Sequence, residues 1–325
     1  NAAISNGVDL IRTGQADVIV AGGTDSVSDI PIPFRKEMRK KLFAARSIKS
    51  FGQTLKFLLS LRPSDFKPEV PAIAEFTTGR TMGLDCDLMA ARYNIKRQAQ
   101  DEFAVRSHKL AAEAAEKGIL SEEITAASFP PHFKSIDKDN TYRADSTVEI
   151  LAKLRPAFDK INGTLTAANS SFLTDGAAVV LLMSEEKAKE LGLTPKVSIR
   201  NYIFTGQDPE EELLLGPAYA TYRLLQKERL NLSDIDVFEF HEAFAAQILT
   251  NLQCLDSDQF AKGKIRAAKK LGEIPIDKFN IHGGSLSLGH PFGATGARLL
   301  TTAANRLKRE NGNMALIAAC AAGAH

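Results

Sequence analysis

The same local plan occurs at both ends of the chain, and it restricts the fold to an α/β design. Residues 2 to 14 carry apolar positions at helical spacing (Ile4, Val8, Leu10 and Ile11), with Gly14 at the stop. The run Ala16-Asp17-Val18-Ile19-Val20-Ala21 follows and leaves through Gly22, Gly23 and Thr24. Its brevity, branched residues and glycine boundary predict a buried strand of a parallel sheet. Residues 294 to 308 predict a helix through Leu299, Leu300, Ala303, Ala304 and Leu307, broken at Asn311-Gly312-Asn313. Met314 to Ala319 then reads as a second buried strand ending in small residues. Helix, tight turn, buried strand and small-residue exit, met twice, point to duplicated α/β halves. A third buried strand is expected at Ala177 to Met183, ahead of a helix from Ser184 to Leu191. At 325 residues there is chain enough for two ordinary domains or one large α/β unit.

Between the first and third strands the character changes. Prolines 31, 33, 63, 68 and 71 mark joints, and a polar helix is expected from Arg97 to Lys117, closed by Gly118. The expected organisation is an N-terminal half made of 1–30 and 160–190, an inserted loop domain at 31–159, and a C-terminal half at 191–325. Within the insertion, residues 35–62 hold nine basic side chains against Glu37 alone, interleaved with Leu42, Phe43, Phe51, Leu55, Leu58 and Leu59. A solvated basic face is one reading of that segment. The other is a basic amphipathic helix pair lying on an anionic membrane surface or a partner. Net charge is +2, which gives no pull toward nucleic acid, and no aromatic stacking motif accompanies the basic run. No apolar stretch reaches the roughly 18 residues that a spanning helix needs. Three widely spaced cysteines (Cys86, Cys254 and Cys320) make no disulfide framework and fit a reducing compartment. Beginning at Asn1 inside a predicted helix and ending in a small-residue run at His325, the sequence reads as a fragment.

Three clusters can carry chemistry. The glycine-rich run from Gly283 to Gly296 contains Gly289-His290-Pro291 and leads into the last helix, where free N–H groups favour an anion and a histidine can serve as acid or base. A structural turn capped by its histidine is the competing reading. Cys320 sits at the exit of the last strand in Ala318-Ala319-Cys320-Ala321-Ala322-Gly323, among neighbours small enough to admit a substrate, although buried cysteines more often only pack. His241-Glu242-Ala243-Phe244 follows a strand-like run from Ile235 to Phe240, at the carboxyl end where open α/β sheets place active sites. A helix start with Glu242 in its first turn is the alternative there. No dinucleotide fingerprint, P-loop or metal-ligand spacing occurs, so no metal site is expected.

In combination, Gly289-His290-Pro291, Cys320-Ala321-Ala322-Gly323, His241-Glu242-Ala243-Phe244 and Thr166-Ala167-Ala168-Asn169-Ser170-Ser171 resemble the thiolases, in order and spacing, over essentially the whole chain. His241, where most thiolases have asparagine, is similar to the fatty-acid-oxidation branch, in particular the β subunits of trifunctional enzymes. The resemblance implies the thiolase fold, duplicated α/β halves in a layered αβαβα core with an inserted loop domain. It also implies a 3-ketoacyl-CoA thiolase, in which CoA is a substrate and no cofactor is permanently bound. A cysteine thiolate attacks the 3-keto carbon, acetyl-CoA leaves, and CoA then collects the shortened acyl group; a thiolate is both good nucleophile and good leaving group, so two easier steps replace one. By resemblance His290 takes the nucleophile's proton, and Cys320 protonates the departing acetyl-CoA carbanion. His290, with a water held by His241, supports the enolate oxygen, each such donor being worth roughly 3 kcal/mol of barrier. The Ala322 N–H serves the acyl-enzyme carbonyl, and Ser171, Met82 and Phe244 line the CoA pocket.

The same resemblance puts the nucleophile at the start of the helix feeding the first strand. Neither Cys86 nor Cys254 has that context, so the attacking cysteine is expected upstream of Asn1 and the chain as given is expected not to turn over. It further implies a homodimer or larger assembly, a possible hydratase/dehydrogenase α subunit, and peripheral membrane contact through 35–62. The implied location is mitochondrial, in the matrix or at the inner-membrane face, with a bacterial cytoplasm as the alternative. A non-catalytic thiolase-like protein that binds acyl-CoA or scaffolds a complex is the rival function, although such a protein needs neither His290 nor Cys320. A biosynthetic acetoacetyl-CoA thiolase fits less well with the basic insertion and His241.

Overall fold

The structure is a computed structural model that describes residues 1–69 and 73–324; Pro71, one of the expected joints, and His325 lie outside them. The chain forms two compact units, Asn1–Val27 with Ala74–His325, and Ser28–Ile73.

The elements of the large unit run in the order α1 (Ala2–Arg12) and β1 (Val18–Asp25) before the small unit. The small unit holds α2 (Lys36–Ala45) and α3 (Phe51–Ser60). The chain then continues with α4 (Met82–Arg92), α5 (Arg97–Glu116), the hairpin β2 (Ala127–Phe129) and β3 (Lys134–Ile136), α6 (Val148–Leu151) and β4 (Gly176–Met183). After α7 (Glu185–Glu190) and α8 (Gly216–Glu228) come β5 (Val237–Phe240), α9 (Ala245–Leu255) and the single turn α10 (Asp258–Phe260). The last elements are α11 (Ser285–Leu288), α12 (Phe292–Glu310) and β6 (Ala315–Ala318).

The C-terminal expectation holds: β6 pairs in parallel with β5, Val237 opposite Ala315 and Phe240 opposite Ala318, and α12 packs on both. All four residues of β5 are buried. Phe238 and Phe240 enter the main core with Leu215 and Tyr222 of the α8 region, Ile248 and Leu255 of α9, and Phe279. Cys86, Met89 and Ala90 of α4 and Phe103 and Ala104 of α5 join the same core. Of the range 31–159 expected as an insertion, residues up to Ile73 belong to the small unit, and α4 and α5 bury their apolar faces in the main core of the large unit.

The expectation for β1 and β4 is corrected. They pair with each other antiparallel, Val18 opposite Met183 and Asp25 opposite Gly176, and neither is a buried strand of a parallel sheet. Their burial alternates, so Val20 (69% exposed) and Val179 (64%) share an open face while Ala21 and Val180 pack with Ile4 of α1 and Ala297 of α12. An apolar β-branched run looks alike in sequence whether one face or both are covered.

In the small unit Lys41 of α2 donates to the Ser60 carbonyl at 2.5 Å and pairs with Asp65 at 2.6 Å, and Arg39 pairs with Glu69 at 2.9 Å. No residue of α3 is buried, and Phe51 (85%) and Leu59 (79%) are largely open to solvent. Among the described residues no helix is long and apolar enough to cross a membrane.

Candidate active site

His241 leaves the carboxyl end of β5, and its N–H donates to the Ala318 carbonyl at the end of β6 (2.8 Å), so Cys320 follows on the adjacent strand. The crevice outside the carboxyl ends of the strands is where α/β sheets bind ligands. His290 arrives from the other side, at the start of α12. Gly289 before it sits at φ +85, a left-handed region that a side chain disfavours, and the His290 N–H donates to the Phe172 carbonyl at 2.7 Å. The two imidazoles come to 3.9 Å between ring centroids, tilted by 38°. Phe292 lies edge-on to His290 at 4.8 Å.

A buried polar clamp holds this arrangement. Asn280 bonds both backbone groups of Phe240, accepting from its N–H at 2.8 Å and donating to its carbonyl at 2.9 Å, as a neighbouring strand would. The same side chain donates to Glu242 at 2.8 Å, and Ser107 of α5 donates to the other Glu242 oxygen at 2.7 Å. The Leu286 N–H completes the set at 3.3 Å. Glu242 is fully buried, and a Cβ on Gly284 would stand 2.3 Å from its carboxyl carbon, so the glycine is required by close approach. Burial pushes the Glu242 carboxyl up, against the pull of Asn280 and Ser107. Glu242 thus ties the His241 strand end to the loop of His290, and α9 begins only at Ala245, so it is not a first-turn helix residue.

Both histidines are neutral at physiological pH. Burial, then the charges of His290 and Arg298, hold His241 well below the usual imidazole range. Burial and Arg298 bring His290 down to about 4. Burial pushes the Cys320 thiol up to about 12, so it rests protonated, the state an acid needs. Cys254 is likewise raised to about 12 by burial, and Cys86, fully buried in α4, stands well above its ordinary value from burial and then the Asp87 charge. Those two thiols are poor candidates for attack.

The remaining expected residues fall around the same crevice in part. Ser171 donates its N–H to the Ala243 carbonyl at 2.9 Å, Ser170 bridges to Phe244, and Asn169 accepts from the Ala245 N–H at 3.0 Å, so the 166–171 motif lies along the start of α9. Phe244 is buried edge-on to Phe158 at 5.9 Å. Met82 and Cys320 both pack against the main core. Ala322 is exposed in the closing turn, where the Gly323 N–H donates to Glu75 at 3.1 Å. Among the described residues no hydrogen bond or ring contact links Met82 to the histidine pair, and no group of acidic, histidine and cysteine residues could hold a metal. Reading the sequence missed Ser107, Asn280, Ser285, Thr295 and Arg298. Only Ser285 and Thr295 carried any signal, through their place in the glycine-rich run around His290.

His241 and Cys320 thus follow the carboxyl ends of the parallel β5–β6 pair, and His290 stacks on the first of them from the start of α12. The chain belongs to the thiolase family: the thiolase N-terminal domain matches residues 1–186 and the thiolase C-terminal domain residues 193–325. Among its relatives, the mitochondrial trifunctional enzyme subunit beta of Homo sapiens is 50% identical over 99% of this chain and 68% of its own length. The 3-ketoacyl-CoA thiolase of Pectobacterium atrosepticum is 47% identical over 99% of this chain and 74% of its own. The crystal structure of human mitochondrial 3-ketoacyl-CoA thiolase superposes at a TM-score of 0.81, with 28% identity over 99% of this chain and 73% of that one. The thiolase fold expected from the motifs is the fold observed.

Proposed function

We propose that the protein is a 3-ketoacyl-CoA thiolase (acetyl-CoA C-acyltransferase) of fatty-acid β-oxidation, with CoA as a substrate and no permanently bound cofactor. The observation that carries this reading is the contact of two neutral imidazoles, His241 and His290, beside the strand end that bears Cys320. His290 is the base that takes the proton of an attacking cysteine thiol. The thiolate forms a bond to the 3-keto carbon, and the adjacent carbon–carbon bond breaks. The electron pair left on acetyl-CoA takes the proton of Cys320, and the resulting thiolate recovers a proton from incoming CoA, whose sulfur bonds the acyl carbon as the enzyme thioester breaks and the released cysteine takes its proton back from His290. A thiol resting near 12 gives its proton only to a strong base such as a carbanion, which protects the proton from loss between turnovers. His241 and His290 face the enolate oxygen, and the Ala322 N–H the acyl-enzyme carbonyl; Ser171, Met82 and Phe244 line the CoA site.

The test is thiolysis by the complete natural polypeptide, followed as loss of 3-ketoacyl-CoA and appearance of acetyl-CoA. Release of acetyl-CoA together with an acyl-CoA two carbons shorter is expected. Tight binding of acyl-CoA with no acetyl-CoA released would instead make the protein a non-catalytic acyl-CoA binder or scaffold.

The proposal extends to a homodimer or larger assembly with a hydratase/dehydrogenase α subunit, at the matrix side of the mitochondrial inner membrane. A bacterial cytoplasm is the alternative, given the bacterial relative. Residues 35–62 supply the membrane contact: α3 has no buried residue, and the segment as a whole carries nine basic side chains. Flotation of the protein with vesicles rich in anionic phospholipid, but not with neutral vesicles, is the expected result. Equal flotation with both would remove the electrostatic part of this reading.

A further inference from the structure

We infer that two buried hydroxyls, Ser285 and Thr295, fix opposite tautomers on the adjacent imidazoles, giving His241 its proton on Nε2 and His290 its proton on Nδ1. The inference deepens the proposed thiolase site and rests on that reading for its kinetic consequence, though not for the tautomers themselves.

The argument is one of donors and acceptors. Arg298 of α12 donates from Nη2 to the Ser285 hydroxyl oxygen at 2.6 Å, and a guanidinium can only donate. Ser285 is fully buried, and its hydroxyl oxygen lies 2.8 Å from Nδ1 of His241. Among the described residues no other acceptor is bonded to that hydroxyl. Its one proton therefore goes to Nδ1, since a buried hydroxyl left without an acceptor costs about 1–3 kcal/mol. A ring that accepts at Nδ1 and is neutral carries its hydrogen on Nε2. His241 is thus a donor at the crevice.

At His290 the polarity reverses. Thr295 is buried one helical turn into α12, and its hydroxyl donates to the Pro291 carbonyl at 3.0 Å. Nδ1 of His290 stands 2.6 Å from the same Thr295 oxygen, and both bonds form together only if that oxygen accepts from Nδ1. His290 therefore holds its hydrogen on Nδ1 and keeps a lone pair on Nε2. Neither Nε2 has a hydrogen-bond partner among the described residues. Two stacked rings of the same residue type are thereby assigned different work: one lone pair to take a proton, one N–H to hold a water or an oxyanion. Ser285, Arg298 and Thr295 are positioning residues, acting through the rings they bond.

The test reads the tautomers directly, with no substrate present, from the ring-nitrogen chemical shifts of the protein labelled with ¹⁵N-histidine. His241→Gln and His290→Gln identify the two sets of signals by their loss. Expected are a protonated Nε2 for His241 and a protonated Nδ1 for His290. Ser285→Ala should release the first preference and Thr295→Val the second, and Ser285→Ala should lower kcat about ten- to a hundredfold with little change in the KM for CoA, as loss of a supporting bond typically does. Ser285→Thr, which restores a hydroxyl, should recover both the tautomer and kcat. The same tautomer on both rings of the unsubstituted protein overturns the inference whatever the variants do. So does a Ser285→Ala protein whose His241 signals and kcat are unchanged. Failure of the complete natural polypeptide, on which the kinetic variants are also made, to cleave 3-ketoacyl-CoA sinks the thiolase reading alone, because the shifts still decide the tautomers.

Discussion

His290→Gln is expected to lower kcat/KM for thiolysis by about 10²–10⁴-fold, the usual loss when a positioned acid–base group is removed. Glutamine keeps the size and polarity of the ring but has no lone pair of suitable basicity for a thiol proton. The fold should survive, because His290 is half-buried and the surrounding loop is held by Glu242, Ser107 and Asn280 through contacts that do not pass through the imidazole. The pH dependence carries the same assignment. A base works when it is unprotonated, so activity falls as pH drops through the folded-state value of His290. Burial and the Arg298 charge place that value at about 4, and the acid limb of kcat/KM should therefore lie below the ordinary histidine range. A His290→Gln protein with unaltered kcat/KM, at the same CoA concentration and with the same thermal stability, would remove His290 from the reaction.

The site was more legible than the scaffold around it. His241, His290 and Cys320 stand in short motifs whose glycines and small residues already limit what the backbone can do, so these motifs could be read locally. The open faces of β1 and β4 could not. Val18, Val20, Val179 and Leu181 are apolar and branched like core residues, and their exposure depends on what else pairs with the strands, a long-range fact. The hydroxyls of Ser285 and Thr295 could be seen in the sequence, but their polarity could not. It is set by Arg298, 13 residues on, in one case and by the Pro291 carbonyl in the other. Glu242 was visible as part of a polar pair, yet its partners Ser107 and Asn280 lie 135 and 38 residues away. Polar networks of this kind carry no periodic signal, because each bond is specific and none repeats along an element.

Arg306→Met should be the most destabilising single change in the core, by about 3–5 kcal/mol, the range seen when one partner of a buried ion pair is removed. In sequence Arg306 belongs to Asn305-Arg306-Leu307-Lys308-Arg309-Glu310 and looks like the solvated end of a helix. In the fold it is fully buried, with Nη1 2.7 Å from Glu239 and Nε 2.8 Å from Glu310. It also donates to the carbonyls of Phe238 (3.3 Å) and Lys278 (3.1 Å), so it joins α12 to the middle of β5. Methionine fills much of the volume, which leaves the charge of Glu239 as the dominant cost. Burial pushes that carboxyl up, and Arg306 is what pulls it back. Without the arginine, Glu239 should fold protonated while the unfolded chain releases the proton near the ordinary carboxyl value. Folding then takes up a proton, and because the paired Glu239 of the parent is itself raised to about 7, the deficit of Arg306→Met should shrink as pH falls from about 9 toward 7. Arg306→Met combined with Glu239→Leu should recover much of the loss at pH 7, since no charge is then left stranded. Chemical denaturation at both pH values reads all of this. A single variant within 1 kcal/mol of the parent, or a deficit that grows on acidification, would mean that β5 is not held through this pair. Because β5 leads directly into His241, a loosened β5 should also lower thiolysis before the protein unfolds, which connects the buried ion pair to the chemistry at the strand's carboxyl end.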